Sequence, residues 1–235
     1  ESNAAQLLQR VADKAHYRKL QNSIAEFNQS QSRMLRGLGI MPVKFGISFT
    51  TAFLNQGSAL IWIYIDGSVS VSTGGVEMGQ ELTSKVALVV SKVLGIALER
   101  IRVESSNTQR SGNASPTAAS TGSDINGNAA RIAAEKLRKN LDPVAIHLYK
   151  QRFGKECDDL VFENSEIFSA ATPANKISFK ELIRAAYMDQ VALGAVGYYK
   201  TPDLYFDRDL GQGHPFYYYV YGAAIAQIEL DRLTG

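Results

Sequence analysis

The residues best suited to chemistry are the run Thr73-Gly74-Gly75-Val76-Glu77-Met78-Gly79-Gln80. Glycines leave backbone amides bare, and amides that open a helix add the positive end of its dipole. Such a run can cradle a phosphate or an oxo group. It matches neither the dinucleotide fingerprint nor the Walker loop, so an ordinary nucleotide is not indicated. Glu77 and Glu81 flank the expected helix start and offer acid–base chemistry, although carboxylates there also simply stabilise a helix end. A second run, Ser115-Pro116-Thr117-Ala118-Ala119-Ser120, reads as another helix start, with Ser115 as N-cap and Pro116 as the first helical residue. Phe49 and Thr50 pair an aromatic ring with a neighbouring hydroxyl, which together can hold the edge of a planar heterocycle. Taken alone, a strand-borne Phe is more often a core residue. His16, His147 and His214 are far apart and show no metal-ligand spacing. No Ser-His-Asp or Cys-His set follows from position alone.

Several elements must position these residues. Residues 60–72 are β-branched and aromatic and read as two strands joined by the Asp66-Gly67 turn. Leu82, Val86, Val89, Val90, Val93 and Leu94 then recur at helical spacing. The glycine run therefore falls at a strand-to-helix junction. Upstream, Leu8, Val11, Ala15, Leu20, Ile24 and Phe27 predict one amphipathic helix over residues 4–27, followed by a connection at 36–40. Residues 43–54 have strand character, with Phe45, Ile47, Phe49 and Phe53 at odd positions. Residues 100–104 form a strand candidate followed by a Ser/Asn/Gly loop, and residues 128–141 form an Ala-rich helix. Residues 151–176 are irregular in composition and read as a peripheral insertion with short strand pieces. Ser178-Phe179-Lys180-Glu181 has capping-box form and opens a helix to about Met188. Residues 191–200 and 216–230 read as strands, with the Tyr217-Tyr218-Tyr219-Val220-Tyr221 run expected in the core. This order predicts α/β or α+β layers.

With 235 residues the chain can bury a full core, and 45% hydrophobic with 20% charged residues describes an ordinary globular protein. A net charge of +2 gives no reason to expect nucleic acid or membrane binding. The single Cys157 excludes an internal disulfide and a multi-thiolate metal site, which suits a reducing, cytoplasmic compartment. No apolar run approaches a membrane span. The final strand runs into a turn with no partner strand after it, so an internal piece of a longer polypeptide is expected, with one sheet edge left open.

In this order the pieces resemble the molybdenum-cofactor subunit of the xanthine dehydrogenase/xanthine oxidase family. The resemblance rests on Lys44-Phe45-Gly46-Ile47-Ser48-Phe49-Thr50, Phe53-Leu54-Asn55-Gln56 and Tyr64-Ile65-Asp66-Gly67-Ser68-Val69. It extends through the two runs above to Gly197-Tyr198-Tyr199-Lys200-Thr201-Pro202, Tyr221-Gly222-Ala223-Ala224 and Glu229-Leu230-Asp231-Arg232-Leu233-Thr234-Gly235. It implies an α+β fold of mixed β-sheets layered with helices. Residues 1–35 would form a helix and connector, and residues 36–235 a molybdopterin-binding domain. It implies a hydroxylase that oxidises hypoxanthine or xanthine to urate with water as oxygen source. Met78, Gly79, Gln80, Thr117, Ala118, Ala119 and Ser120 would bind the molybdenum-molybdopterin cofactor, while Phe49 and Thr50 would meet the purine. No catalytic or metal-ligating side chain is expected within the chain; the family's general-base Glu would lie beyond Gly235. The 2Fe-2S, FAD and NAD sites would lie on an iron–sulfur/FAD domain or subunit, in an oligomeric parent enzyme. Leu82-Thr83-Ser84-Lys85 departs from the family's usual Leu-His-Thr-Lys. An aldehyde oxidase-type or other heterocycle hydroxylase, and a non-catalytic structural module, are the alternatives.

Overall fold

The computed structural model describes residues 3–30, 33–154 and 157–235. In chain order the elements are α1 (Ala4–Lys14), α2 (Tyr17–Gln29), β1 (Met34–Ile47), β2 (Gln56–Ile63), β3 (Val69–Thr73), α3 (Leu82–Leu94) and β4 (Ile101–Glu104). There follow α4 (Gly122–Phe153), β5 (Leu160–Glu163), β6 (Glu166–Ser169), β7 (Thr172–Ser178) and α5 (Phe179–Met188). The last are β8 (Gly194–Lys200), β9 (Tyr205–Asp207), β10 (Gln212–His214) and β11 (Tyr218–Asp231). Helices and mixed sheets make the fold α+β, as expected. The chain divides into two compact units, one reaching Ile47 and resuming at Phe216–Gly235, the other spanning Ser48–Pro215.

In the first unit β1 and β11 pair antiparallel from Met34↔Asp231 to Ile47↔Tyr218. The last strand therefore has a partner, contrary to expectation, although that partner lies far away in sequence. Residues 36–40, expected as a connection, are part of β1, and the strand predicted to run to residue 54 ends at Ile47. The single N-terminal helix is broken by His16, whose φ of 49° is left-handed and stops helical propagation. Tyr217, Tyr218, Tyr219 and Val220 are exposed rather than core. Within this unit, among the described residues, α1 and α2 pack on the two-stranded ribbon, and so small a sheet leaves its aromatic run largely unburied.

The second unit carries a four-stranded sheet in the order β4-β3-β2-β8. The β2–β3 hairpin turns at Asp66-Gly67 as predicted: the Ser68 amide and hydroxyl both donate to the Asp66 carboxylate, and Gly67 takes a φ of 82°. β3 and β4 are parallel and are linked through α3. Ile61, Val71, Val90, Leu94, Leu137 and Leu141 are fully buried where α3 and α4 cover the sheet. Each such side chain contributes about 1.5–3 kcal/mol. Residues 160–178, irregular in composition, form a three-stranded antiparallel sheet whose Ile167 and Ile177 join the same core. Among the described residues no helix is long and apolar enough to cross a membrane.

The capping box at α5 forms as the sequence predicts: Ser178 Oγ accepts from the Glu181 amide, and the Glu181 carboxylate accepts from the Ser178 amide and hydroxyl. These bonds, the Ser178 amide first, with further help from Arg152, hold the Glu181 carboxyl at about 2. A depressed carboxyl contributes stability that is full above its ordinary value of 4.5 and is lost as pH falls towards 2. Both members of the Arg152 pair are half exposed, so salt screens that part. Glu181→Ala is expected to cost about 0.5–1 kcal/mol at neutral pH. In thermal unfolding across pH, the gap from wild type should shrink steadily below pH 4.5; a gap that stays constant into acid would refute the carboxylate's role.

Candidate functional site

The Gly-rich turn sits between β3 and α3, as its residue types dictate, but its amides are not left bare. The Glu77 carboxylate accepts from the Gly79, Glu81 and Thr83 amides and from the Thr83 hydroxyl, each at 3.0 Å. Led by the Thr83 amide, these bonds hold the Glu77 carboxyl at about 2. A carboxylate this firmly ionised does not serve as a proton-transfer group near neutral pH. Of the two roles open to Glu77, stabilising the helix end is the one the geometry supports. The Gln80 side chain folds back too, accepting from the Met78 amide at 2.7 Å and donating to the Val76 carbonyl at 2.8 Å. Gly79 takes a φ of 96°, which L side chains rarely adopt.

The second run does not begin a helix at Pro116. Ala119 and Ser120 adopt φ values of 51° and 56°, which no helix tolerates, and α4 starts only at Gly122 after Thr121. Residues 115–121 instead form an irregular turn closed by the Thr121 amide and hydroxyl donating to the Ala118 carbonyl. The two turns meet where the Val76 amide donates to Thr117 Oγ1 at 2.9 Å. Together they line a pocket of about 320 Å³ formed by Met78, Gln80, Lys85, Thr117, Ala118, Ser120, Gly122 and Ser123. That volume lies within the range of small-molecule sites. Gly79 and Ala119 belong to the same turns without lining the pocket.

Lys85 and Ser123 were not singled out by the sequence. Lys85 reaches the site because it lies one turn into α3, where its ammonium donates to the Gln80 carbonyl at 2.9 Å. With the α4 amino terminus at Gly122 and Ser123, it makes the pocket suited to an anionic ligand bearing hydrogen-bonding edges. A pterin with a phosphate tail has that character, and the residues present fit it.

Phe49 is half-buried and Thr50 exposed, and neither lines this pocket. Their segment nonetheless touches the second turn, through the Ser48 amide donating to the Ala119 carbonyl at 3.4 Å. Asn55, only 2% exposed, fixes the segment: it accepts from the Phe49 amide at 2.8 Å and donates to the Phe49 and Ala52 carbonyls. Ser48 itself has a φ of 133°. Ser48, Glu81, Ala119 and Ser120 thus hold left-handed or otherwise strained backbone without being glycine. Strain of this kind, of order 1–3 kcal/mol per residue, gathers at functional sites. Among the described residues no group of three or more His, Cys, Asp or Glu stands together to bind a metal ion directly.

A family model described as a molybdopterin cofactor-binding domain matches residues 10–235. The chain is 39% identical over 220 residues to a xanthine dehydrogenase of Oryza sativa subsp. japonica, covering 94% of this chain and 14% of that protein. It is 38% identical over 221 residues to a xanthine dehydrogenase/oxidase of Felis catus, covering 94% of this chain and 15% of that protein. Among solved structures it is similar to the Cu,Mo-CO dehydrogenase in its carbon monoxide reduced state, with a TM-score of 0.76 at 22% identity, over 98% of this chain and 29% of that one. Quinoline 2-oxidoreductase from Pseudomonas putida 86 is similar at a TM-score of 0.74 and 21% identity, over 100% of this chain and 29% of that one. At such identities the structural likeness is one of fold.

Proposed function

The chain belongs to the molybdopterin cofactor-binding domain family, and from that premise we propose that it supplies the pterin-binding turns of a molybdenum hydroxylase that oxidises hypoxanthine or xanthine to urate. The observation that carries this reading is the convergence of two separate turns, 78–80 and 117–120, on one pocket lined by Lys85. Relatives named xanthine dehydrogenase, similar over nearly all of this chain, favour a purine over other substrates. When bound, the molybdenum cofactor supplies the oxygen-transfer and electron-accepting chemistry. The chain's own residues bind and orient. Met78 and Gln80 face the pterin on one side, with Gly79 setting the turn between them, and Thr117, Ala118 and Ser120 face it on the other, with Ala119 shaping that turn. Phe49 offers its ring to the flat purine, and the Thr50 hydroxyl is free to rotate toward a ring nitrogen or carbonyl. Expulsion of water between ring and purine strengthens both contacts. On this reading the general base and the 2Fe-2S and FAD groups belong to other parts of the enzyme, which works in cytoplasmic purine breakdown.

The test is carried out on the intact enzyme. Molybdenum and pterin should copurify with it, and xanthine should yield urate. Phe49→Ala is expected to raise KM for xanthine about tenfold while molybdenum content stays normal. Unchanged kinetics would remove Phe49 from the substrate site. A molybdenum-loaded enzyme that makes no urate but oxidises aldehydes or other heterocycles would overturn the purine assignment.

A further inference from the structure

Among the described residues two side chains tie the Gly79 turn to the first turn of α3: the Lys85 ammonium makes one bond, to the Gln80 carbonyl, and the Glu77 carboxylate makes four. One oxygen, Oε1, bridges the Gly79 and Glu81 amides, and the other, Oε2, bridges the Thr83 amide and hydroxyl. The four bonds straddle Gln80, so the residue that lines the pocket is held from both sides. Glu81 needs this support, because its φ of 59° is costly for a residue with a side chain, and the side chain of Glu81 does not cap the helix. We propose that Glu77 is a positioning residue, whose carboxylate holds the Met78–Gln80 edge in the shape that receives the cofactor. This rests on the pterin reading above and deepens it by separating the residues that touch the cofactor from the one that shapes them.

The choice of Glu follows from the geometry. A neutral amide at this position has one acceptor and one donor end, so Gln can satisfy the Gly79 and Glu81 amides only by turning its NH2 towards the Thr83 amide. Asp keeps both oxygens and the charge but is one methylene shorter. Thr83 carries the fourth bond through its hydroxyl, and Thr83→Val removes that bond alone.

Glu77→Ala, Glu77→Gln, Glu77→Asp and Thr83→Val are made in the intact enzyme. Molybdenum and pterin are then measured per folded protein, alongside amide exchange at Gly79, Glu81 and Thr83. Expected are a loss of cofactor retention of about tenfold in the Ala and Gln variants, partial recovery with Asp, and a severalfold smaller loss with Val. Amide exchange should accelerate in the same order. A merely structural cap would lower the melting temperature of all four while the folded fraction kept its cofactor. Equal loading of wild type, Ala and Gln variants therefore overturns this inference and leaves the pterin reading standing. A wild-type enzyme that carries no molybdenum or pterin overturns the pterin reading and this inference with it.

Discussion

Gly197→Ala is expected to be a severely damaging single-methyl change in the second unit, lowering stability by about 2–4 kcal/mol. Gly197 lies in β8, opposite Ala59 of β2, where α4 crosses the sheet. A Cβ there would fall 2.0 Å from the Ala129 carbonyl oxygen and 2.6 Å from the Ala133 amide nitrogen. Both are backbone atoms of a helix whose Ala129, Ala130, Ala133 and Ala134 are fully buried, so neither can rotate away. Relief would require α4 to lift, opening voids along Leu137 and Leu141 and shifting Gly122 and Ser123 at the pocket. Thermal unfolding should show a drop of roughly 5–12 °C for a domain of this size. Gly222→Ala is the matched control, since nothing lies within 4 Å of the Cβ it would gain. Equal melting temperatures for the two variants would show that α4 does not pack on β8 as closely as described.

The helix half of this contact is legible in the sequence, and the strand half is not. Alanine at successive helical positions announces a helix that packs closely, yet nothing local marks Gly197 as the residue beneath it. The same division runs through the chain. The β2–β3 hairpin, α3 and the α5 capping box follow from turn chemistry and short-range periodicity, which act over a few residues. The β1–β11 pairing joins residues nearly two hundred positions apart, such as Met34 and Asp231, and local pattern carries no such information. Local propensity places the start of α4 too early, because Ser-Pro is a good helix opening, whereas Ala119 and Ser120 sit in left-handed backbone that only their surroundings impose. At the candidate site the glycines could be picked out by type, whereas Thr117 entered through the family resemblance alone. Glu77 was legible as a helix-end carboxylate, but its four bonds, the reach of Lys85 and the clamp made by Asn55 needed the fold.

Asn55 gives the second large effect, because it is nearly buried and makes three bonds to the backbone that carries Phe49 and Thr50. Asn55→Ala would leave the Phe49 amide and carbonyl without the partners that now replace water, at a cost of about 2–3 kcal/mol. Asn55→Asp keeps the acceptor for the Phe49 amide but sets a carboxylate oxygen against the Phe49 and Ala52 carbonyls, so it should be no better tolerated. The consequence for function is separable from the stability loss. Neither variant alters the Phe49 ring itself or any residue lining the pocket between the two turns. If the proposed purine site is right, both should raise KM for xanthine about as much as Phe49→Ala does, with molybdenum content unchanged in the folded enzyme. The double variant Phe49→Ala with Asn55→Ala should add little to KM beyond either single change, because both act through the same ring. Fully additive effects would mean that Asn55 serves the fold alone. A normal KM in a stably folded Asn55→Ala enzyme would detach the Phe49 segment from the substrate altogether.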